Sequence, residues 1–257
     1  YSNYLMASRL KPNTISTYMR MLRSIYNRGV DMHQAPYVHG LFRDVFTGVD
    51  TRQKKAIPIG ELHMLLNKDP QSEKLRRTQA IANLLFQFCG MPFSDLAHLE
   101  KSNLERGLLK YNRTKTGTPM SIEVLESAQN AIGGLYNKSD ARSSGYPDYL
   151  FRILSGAYKR NEEGAYREYQ SALRRFNNEL KSLSRKLRLH SPVTSYTLRH
   201  SWATTAKYRG VPIEMISESL GHKSIKTTQI YLKGFELEER TKVNKLNYSY
   251  VCNFKTL

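Results

Sequence analysis

A long run of apolar residues at helical spacing, from Ala165 to Leu187, constrains the fold of this chain more than any other feature. The apolar positions follow the turns of a helix over most of the run, which predicts one long amphipathic helix. These positions are Tyr169, Ala172, Leu173, Phe176, Leu180, Leu183 and Leu187. The outer side carries six basic residues, so it is either a solvated face or a surface for a polyanion.

Shorter helices are predicted before this run. In residues 13–30 the apolar residues recur at helical spacing, and either Asn13 or Thr14 can cap the helix. Residues 75–88 predict a second helix, and Ser94 is the expected N-cap of a third. The chain is therefore rich in helix before its centre.

A hairpin is predicted between these helices and the long one. Leu109 and Tyr111 alternate before a Thr-Lys-Thr-Gly turn, and Met120 and Ile122 alternate after it. Lys115 lies at the tip of this turn, where a lysine is by itself most often only solvated. The predicted fold class is thus mainly α with a small β-hairpin or sheet (α+β).

The last third of the chain predicts three short helices in succession. Thr194 or Ser195 can cap the first of them. Pro212 suits the first turn of the second helix, and Gly221 suits its C-terminal stop. Ser224 is the expected cap of the third.

Composition indicates a polyanionic partner. The 257 residues include 40 Lys and Arg against 22 Asp and Glu, and the formal net charge of +18 makes nucleic acid the first expectation. Solvated basic surface is the alternative. Cys89 and Cys252 are too few and too far apart for a disulfide framework or a zinc knuckle.

The chain shows no apolar run of membrane-spanning length and no signal-peptide pattern, so we expect a cytoplasmic protein that does not contact a membrane. It opens at Tyr1 rather than at a methionine, so we expect a fragment whose upstream region is missing.

Cutting a DNA strand without a metal ion has clear chemical requirements. Negative charge grows on the non-bridging oxygens of the phosphodiester, so Arg and His donors should stabilise it. A tyrosine hydroxyl can attack phosphorus and keep the bond energy in a covalent link. A lysine can protonate the departing 5′ oxygen. The sequence offers no metal-binding motif, and we expect no cofactor.

Three motifs meet these requirements in order: "LRHSWAT" at 198–204, "LGH" at 220–222, and a tyrosine nine residues after that histidine. Their order and spacing resemble the tyrosine recombinase (phage integrase) family, especially the integrases of mobile elements in Bacteroidetes. "NTISTYMRMLRSIYN" resembles the second half of the family's helical core-binding domain. "GMPFSDLAHLEKSNL" resembles the segment that normally brings the first catalytic arginine.

The resemblance implies a role for each matching residue. Tyr231 would be the nucleophile that forms a 3′-phosphotyrosyl link to DNA. Arg199 would be the second catalytic arginine, and His222 would bond the scissile phosphate as the second family histidine. Lys115 matches the general-acid lysine. His200 follows Arg199 on the same helix and is a candidate for a supporting role.

Two positions depart from the family pattern. Tyr196 stands where the family usually has a histidine, and a phenol is a poor proton acceptor near pH 7. The first arginine is absent, since Cys89 occupies its position, or Pro92 in an alignment on Gly-Leu-Arg. Losing that arginine would cost about 10²- to 10³-fold in rate. Either another cation replaces it, or the enzyme is slow, or Cys89 is engineered. The candidate cations are Arg76, Arg77 and Arg113.

The resemblance also implies a domain organisation. Residues 1–50 would be the C-terminal half of the core-binding domain, 51–56 a basic linker, and 57–257 the catalytic domain with a C-terminal tail at 235–257. In this family such a tail docks on a neighbouring protomer, and packing on its own domain is the alternative. The apolar residues expected to dock are Val243, Leu246 and Tyr250. The expected DNA-binding residues are Arg20, Arg23, Arg52, Lys54 and Lys55.

We therefore expect an enzyme of the bacterial cytoplasm, a site-specific DNA recombinase that integrates or excises a mobile element. The expected partners are double-stranded DNA at recombination sites, further copies of the chain in a homo-tetramer, and accessory DNA-bending proteins. A catalytically weakened DNA-binding relative is the alternative that Cys89 and Tyr196 favour. A type IB topoisomerase shares the chemistry, but the likeness to the core-binding domain argues against it.

Overall fold

The computed structural model describes residues 1–48, 56–136, 138, 145–232 and 237–253. The chain divides into two compact units, Tyr1–Gln53 and Lys54–Leu257. In the described ranges the secondary structure is mainly helical with one three-stranded antiparallel sheet, so the predicted fold class is confirmed.

The first unit contains α1 (Ser2–Ala7) and α2 (Pro12–Asp31). The prediction of Asn13 or Thr14 as the cap of α2 is wrong, because both residues lie inside its first turn. Pro12 takes the first helical position, where the missing proline N–H would have had no helical partner anyway.

The apolar stripe of α2 is buried only in part. Ile15 and Met19 pack with Leu5 in a small core. Tyr18 and Ile25, which follow the same spacing, are exposed at 42% and 66%. Periodicity alone therefore does not show which turns of the stripe find a packing partner.

The second unit carries the remaining elements. Its helices are α3 (Ile59–Asn67), α4 (Glu73–Gln87), α5 (Phe93–Ala97), α6 (Glu126–Leu135), α7 (Glu163–Lys186), α8 (Ser195–Tyr208), α9 (Ile213–Ser219), α10 (Ile225–Tyr231) and α11 (Leu237–Cys252). Its strands are β1 (Leu104–Glu105), β2 (Leu108–Asn112) and β3 (Pro119–Glu123).

The long helix predicted from the sequence is α7, and its apolar face forms much of the core. Phe176, Leu180 and Leu183 are almost fully buried, and α7 packs against α4, α5 and α8. Phe93 of α5 stacks on Phe176 with ring centroids 4.8 Å apart. Each of these side chains contributes about 1.5–3 kcal/mol by leaving water. This packing holds α5 and α8 in place.

The predicted hairpin is confirmed, with Leu109 opposite Ile122 and Tyr111 opposite Met120. Strand β1 adds a third strand, in the order β1-β2-β3. The turn between β2 and β3 is closed by the Arg113 N–H, which donates to the carbonyl of Thr118 at 2.9 Å. Arg113 and Lys115 therefore lie in one turn.

Helix caps differ in places from the predictions. Thr194 caps α8, because its side chain accepts from the Thr197 N–H at 3.2 Å. The N-cap of α5 is Pro92, so the prediction of Ser94 is wrong. Pro212 is the N-cap of α9 rather than a residue of its first turn.

Helix α11 does not bury the apolar residues that the structure describes on it. Val243 and Leu246 are exposed at 57% and 70%, so the alternative of packing on their own unit is not observed. The side chain of Tyr250 lies outside the described part of the chain. None of the helices in the described ranges is long and apolar enough to cross a membrane.

Candidate active site

The site is built around Arg199, which α8 presents from a buried position with 6% exposure. Its Nη1 donates to the carbonyl of Gly90 at 2.8 Å, and its Nη2 donates to the carbonyl of Leu220 at 2.6 Å. Two backbone oxygens from separate segments therefore fix the plane of the guanidinium.

His222 lies beside this guanidinium. Its Nε2 is 3.3 Å from Nη2 of Arg199, and its Nδ1 is 2.8 Å from Oγ1 of Thr228, which is fully buried. Gly221 at φ +64° turns the chain just before the histidine, in the left-handed region that glycine adopts most easily. The predicted pair of Arg199 and His222 is brought together.

The imidazole of His222 is neutral near pH 7. Burial, reinforced by Arg199, Arg113 and Lys115, lowers the pKa of His222 to about 4. A guanidinium can only donate, so we assign Nε2 as the acceptor from Arg199 and Nδ1–H as the donor to Thr228. The threonine hydroxyl can also donate to Nδ1. In that tautomer Nε2 carries the proton and can donate to a phosphate oxygen.

A second buried arginine, Arg113, shares the site with 7% exposure. Its Nη1 donates to the same carbonyl of Leu220 that Arg199 uses. Its Nε lies 2.9 Å from Oδ2 of Asp95, and this carboxylate is also buried. The other oxygen of Asp95 accepts from the Thr114 N–H at 3.2 Å.

The other two candidates for the missing first arginine lie elsewhere. Arg76 pairs with Asp69 at 3.0 Å on the surface. Arg77 donates to the carbonyl of Arg152. Among the described residues neither has a hydrogen bond or ion pair with the groups around Arg199. The structure thus singles out one of the three cations named from the sequence.

Lys115 is exposed in the turn that follows β2. Its charge is one of the three that lower the pKa of His222. A long exposed lysine in this place can reach a phosphate bound over the arginines.

The segment at Cys89 packs against α8. A Cβ on Gly90 would lie 3.2 Å from Cα of Arg199, so only glycine fits here without strain. Burial raises the pKa of the half-buried Cys89 thiol, and the charge of Arg199 partly offsets that effect. Of the two positions expected for the first arginine, Cys89 is thus near Arg199 and carries a thiol, and Pro92 is the N-cap of α5.

Tyr196 and His200 flank Arg199 on α8. Tyr196 lies one turn before the arginine with 42% of its surface exposed, and His200 is buried at 8% exposure. Residues three apart on a helix share a face, so Tyr196 and Arg199 open to the same side.

Tyr231 is the last residue of α10, and its side chain lies outside the described part of the chain. The backbone around it is anchored on two sides. Thr228 contacts His222, and Nζ of Lys207 donates to the carbonyl of Leu232 at 3.0 Å. The site and α8 thus hold the helix that carries Tyr231.

The predicted DNA-binding residues are described only in part. Arg20 and Arg23 are exposed on α2 of the first unit. Arg52, Lys54 and Lys55 lie outside the described residues. In the described ranges no group of three or more His, Cys, Asp or Glu side chains could hold a metal ion.

Sequence reasoning missed Asp95, Gly90 and Thr228 as parts of the site. Asp95 and Gly90 stand within the segment that the sequence relates to the first arginine, and Thr228 lies between His222 and Tyr231. The one signal for a buried ion pair was Asp95, a carboxylate among apolar residues in the first turn of a helix, since buried charges are normally paired.

The chain is similar to a known protein family over most of its length. A family model described as the phage integrase family matches residues 59–237. The chain belongs to this family. The matched range of this phage integrase family member contains every described residue of the site.

Two curated relatives have similar coverage. Tyrosine recombinase XerD of Halalkalibacterium halodurans is 30% identical over 190 residues, which are 70% of this chain and 57% of the relative. Tyrosine recombinase XerA of Thermococcus kodakarensis is 29% identical over 182 residues, which are 70% of this chain and 58% of the relative. The chain thus spans less than two thirds of the length of these relatives.

Among solved structures, the Tn1549 transposon integrase in complex with a circular intermediate DNA has a TM-score of 0.67 with this chain at 15% identity. The alignment covers 95% of this chain and 82% of that one. This likeness shows that the fold is that of an integrase. The special likeness to integrases of Bacteroidetes stays a prediction.

Proposed function

We propose that this phage integrase family member is a site-specific DNA recombinase that cuts and rejoins strands through a 3′-phosphotyrosyl intermediate. The observation that carries the proposal is the contact between Arg199 and His222 beside the carbonyl of Leu220. These groups can donate to the non-bridging oxygens of one phosphate, where charge grows in the transition state.

The proposed cleavage step balances as follows. The phenolic oxygen of Tyr231 bonds to phosphorus while the bond from phosphorus to the 5′ oxygen breaks, and the strand stays attached through its 3′ phosphate. Lys115 gives a proton to the departing 5′ oxygen. The phenolic proton leaves to solvent, because Tyr196 replaces the usual histidine and neutral His222 is too weak a base to hold it.

Two features of the chain and its relatives support DNA as the substrate. The formal net charge is +18, and Arg20 and Arg23 are exposed on α2, where they can contact phosphates. The Tn1549 integrase of similar fold is in complex with a circular intermediate DNA. We propose that Arg52, Lys54 and Lys55 extend this basic surface.

We further propose that the chain acts as a homo-tetramer on paired recombination sites, with accessory DNA-bending proteins, to integrate or excise a mobile element. The exposed apolar side chains of Val243 and Leu246 on α11 support a contact with another copy. We propose residues 1–50 as part of a core-binding domain and residues 57–257 as the catalytic domain. The bacterial cytoplasm stays a predicted location.

The test is capture of the covalent intermediate. The protein is incubated with a library of nicked duplexes randomised in their central segment, and adducts that survive denaturation are recovered. The nick lets the short 5′-hydroxyl fragment diffuse away, which traps the link. We expect adducts with the natural sequence and none with Tyr231→Phe, which keeps the ring but removes the nucleophile.

Two results would contradict the proposal. DNA binding without any adduct would favour a regulatory DNA-binding protein. Efficient relaxation of plasmids irrespective of their sequence would favour a topoisomerase. Tyr208→Phe, an equivalent change at the end of α8, serves as the control that should still form adducts.

A further inference from the structure

Two guanidinium groups donate to one oxygen in the candidate site. Arg113 and Arg199 both bond the carbonyl of Leu220, so their positive charges lie side by side. Two positive charges this close repel each other, and a nearby anion offsets the repulsion. Asp95 supplies one buried negative charge through its ion pair with Arg113. One positive charge of the pair thus remains for an incoming anion to balance.

Arg113 has donors to offer such an anion. A guanidinium carries five N–H donors, of which Leu220 takes one on Nη1, whereas Nε lies 2.9 Å from Oδ2 of Asp95 in an ion pair that lacks hydrogen-bond geometry. In the described part of the chain the other three have no hydrogen-bond partner. The ion pair with Asp95 and the bond to Leu220 restrain the position of this planar group, and a planar fork of donors suits phosphate oxygens.

The stem of Arg113 reaches the site because position 221 lacks a side chain. A Cβ on Gly221 would lie 3.0 Å from Cγ and 3.1 Å from Cδ of Arg113. Both distances are shorter than an ordinary van der Waals contact between carbon atoms. Gly221 therefore does two things, since it also turns the chain toward His222 at φ +64°.

We propose that Arg113 is a catalytic residue that donates to a non-bridging oxygen of the scissile phosphate, in place of the first arginine that neither Cys89 nor Pro92 supplies. Asp95 is its positioning residue. This inference rests on the proposed function, since the phosphate is the one Tyr231 attacks. It also accounts for a site that keeps two arginines although Cys89 brings none.

The test must separate loss of catalysis from loss of folding. Arg113→Gln alone leaves Asp95 as an unpaired buried carboxylate, which can unfold the chain. The double variant Asp95→Asn/Arg113→Gln replaces both charges with neutral hydrogen-bonding groups, of which Asn has the shape of Asp and Gln is shorter than Arg. Arg77→Gln is the matched control, because Arg77 also donates to a backbone carbonyl but lies outside the site.

Cleavage is measured on a duplex that the natural sequence captured from the nicked library. We expect the double variant to melt and bind DNA like the natural sequence and to form the adduct about 10²- to 10³-fold more slowly. Arg77→Gln should cleave at the natural rate. Equal rates for the natural sequence and the folded double variant would overturn the inference.

A second substrate separates charge stabilisation from a structural effect. When the scissile linkage of that duplex is a neutral methylphosphonate, one non-bridging oxygen and its charge are gone, so a lost arginine matters less. We expect the defect of the double variant to shrink to within about tenfold on this substrate. An unchanged defect on both substrates would show a structural role and refute catalysis by Arg113.

Failure of this inference is distinct from failure of the proposed function. If the natural sequence forms no adduct with any duplex, the recombinase proposal fails. If it forms the adduct and the folded double variant does so equally fast, only the role of Arg113 is rejected.

Discussion

Gly90 packs closely against the backbone of Arg199 in the candidate site, so replacing it tests the whole arrangement. Its φ is +64°, and a Cβ would lie 3.2 Å from Cα and 3.3 Å from the carbonyl oxygen of Arg199. Backbone atoms inside α8 cannot move aside as the end of a flexible side chain can. Gly90→Ala should therefore destabilise the fold and shift the carbonyl that holds Nη1 of Arg199.

The magnitude follows from two separate costs. Placing alanine in the left-handed region costs about 1 kcal/mol. Crowding a packed interior adds about 1–3 kcal/mol. We therefore expect Gly90→Ala to lower the free energy of unfolding by about 2–4 kcal/mol.

Gly107 supplies the matched control. Its φ is +78°, but a Cβ there would meet nothing within 4 Å. Gly107→Ala should thus carry only the backbone cost of about 1 kcal/mol. In a unit of about this size, 1 kcal/mol shifts the thermal midpoint by about 2–4 °C.

The assay is thermal unfolding of the full chain and of both variants, followed by adduct formation on a captured duplex. We expect a shift of about 2–4 °C for Gly107→Ala and about 4–16 °C for Gly90→Ala. Only Gly90→Ala should also slow cleavage. Equal shifts in the two variants, with equal cleavage, would refute the idea that Gly90 is needed for close packing on Arg199.

Two further predictions concern His222. Thr228→Val removes the partner of its Nδ1 and should slow adduct formation about tenfold, the cost of one hydrogen bond. Thr228→Ser keeps the hydroxyl and should cleave normally. A normal rate for the valine variant would show that Thr228 does not position His222. Folding lowers the pKa of His222 from 6.5 to about 4, so as the pH falls the unfolded chain takes up this proton before the folded chain does. The stability from this residue is complete above pH 6.5 and lost as the pH falls through 4. As the pH falls over that range, the melting temperature should fall more steeply for the natural sequence than for His222→Asn. An equal fall in both proteins would contradict the lowered pKa of His222.

The helices and the hairpin could be predicted because their signals are local. The apolar face of α7 shows in its spacing, and the alternation of Leu109 and Tyr111 predicts the strand that pairs with Ile122. Burial was harder to predict. Ile25 follows the stripe of α2 yet is exposed, since burial depends on what packs against the helix.

The candidate site divides in the same way. Arg199, His222 and Tyr231 lie within one short stretch of chain, so their order and spacing could be recognised as a pattern. Arg113 is far from them in sequence and looks like any basic residue at the end of a strand. No spacing rule connects it to Arg199.

By itself, the sequence determined the mainly helical fold class, the hairpin, the net positive charge and the order of the residues expected to carry out the reaction. Only the tertiary structure decided which arginine accompanies Arg199 and which carboxylate holds it. The physical reason is that an apolar period reports one face of one element, whereas a buried charge is stable only with partners. For Arg113 those partners are Asp95 of α5 and the carbonyl of Leu220, and packing brings these two segments together.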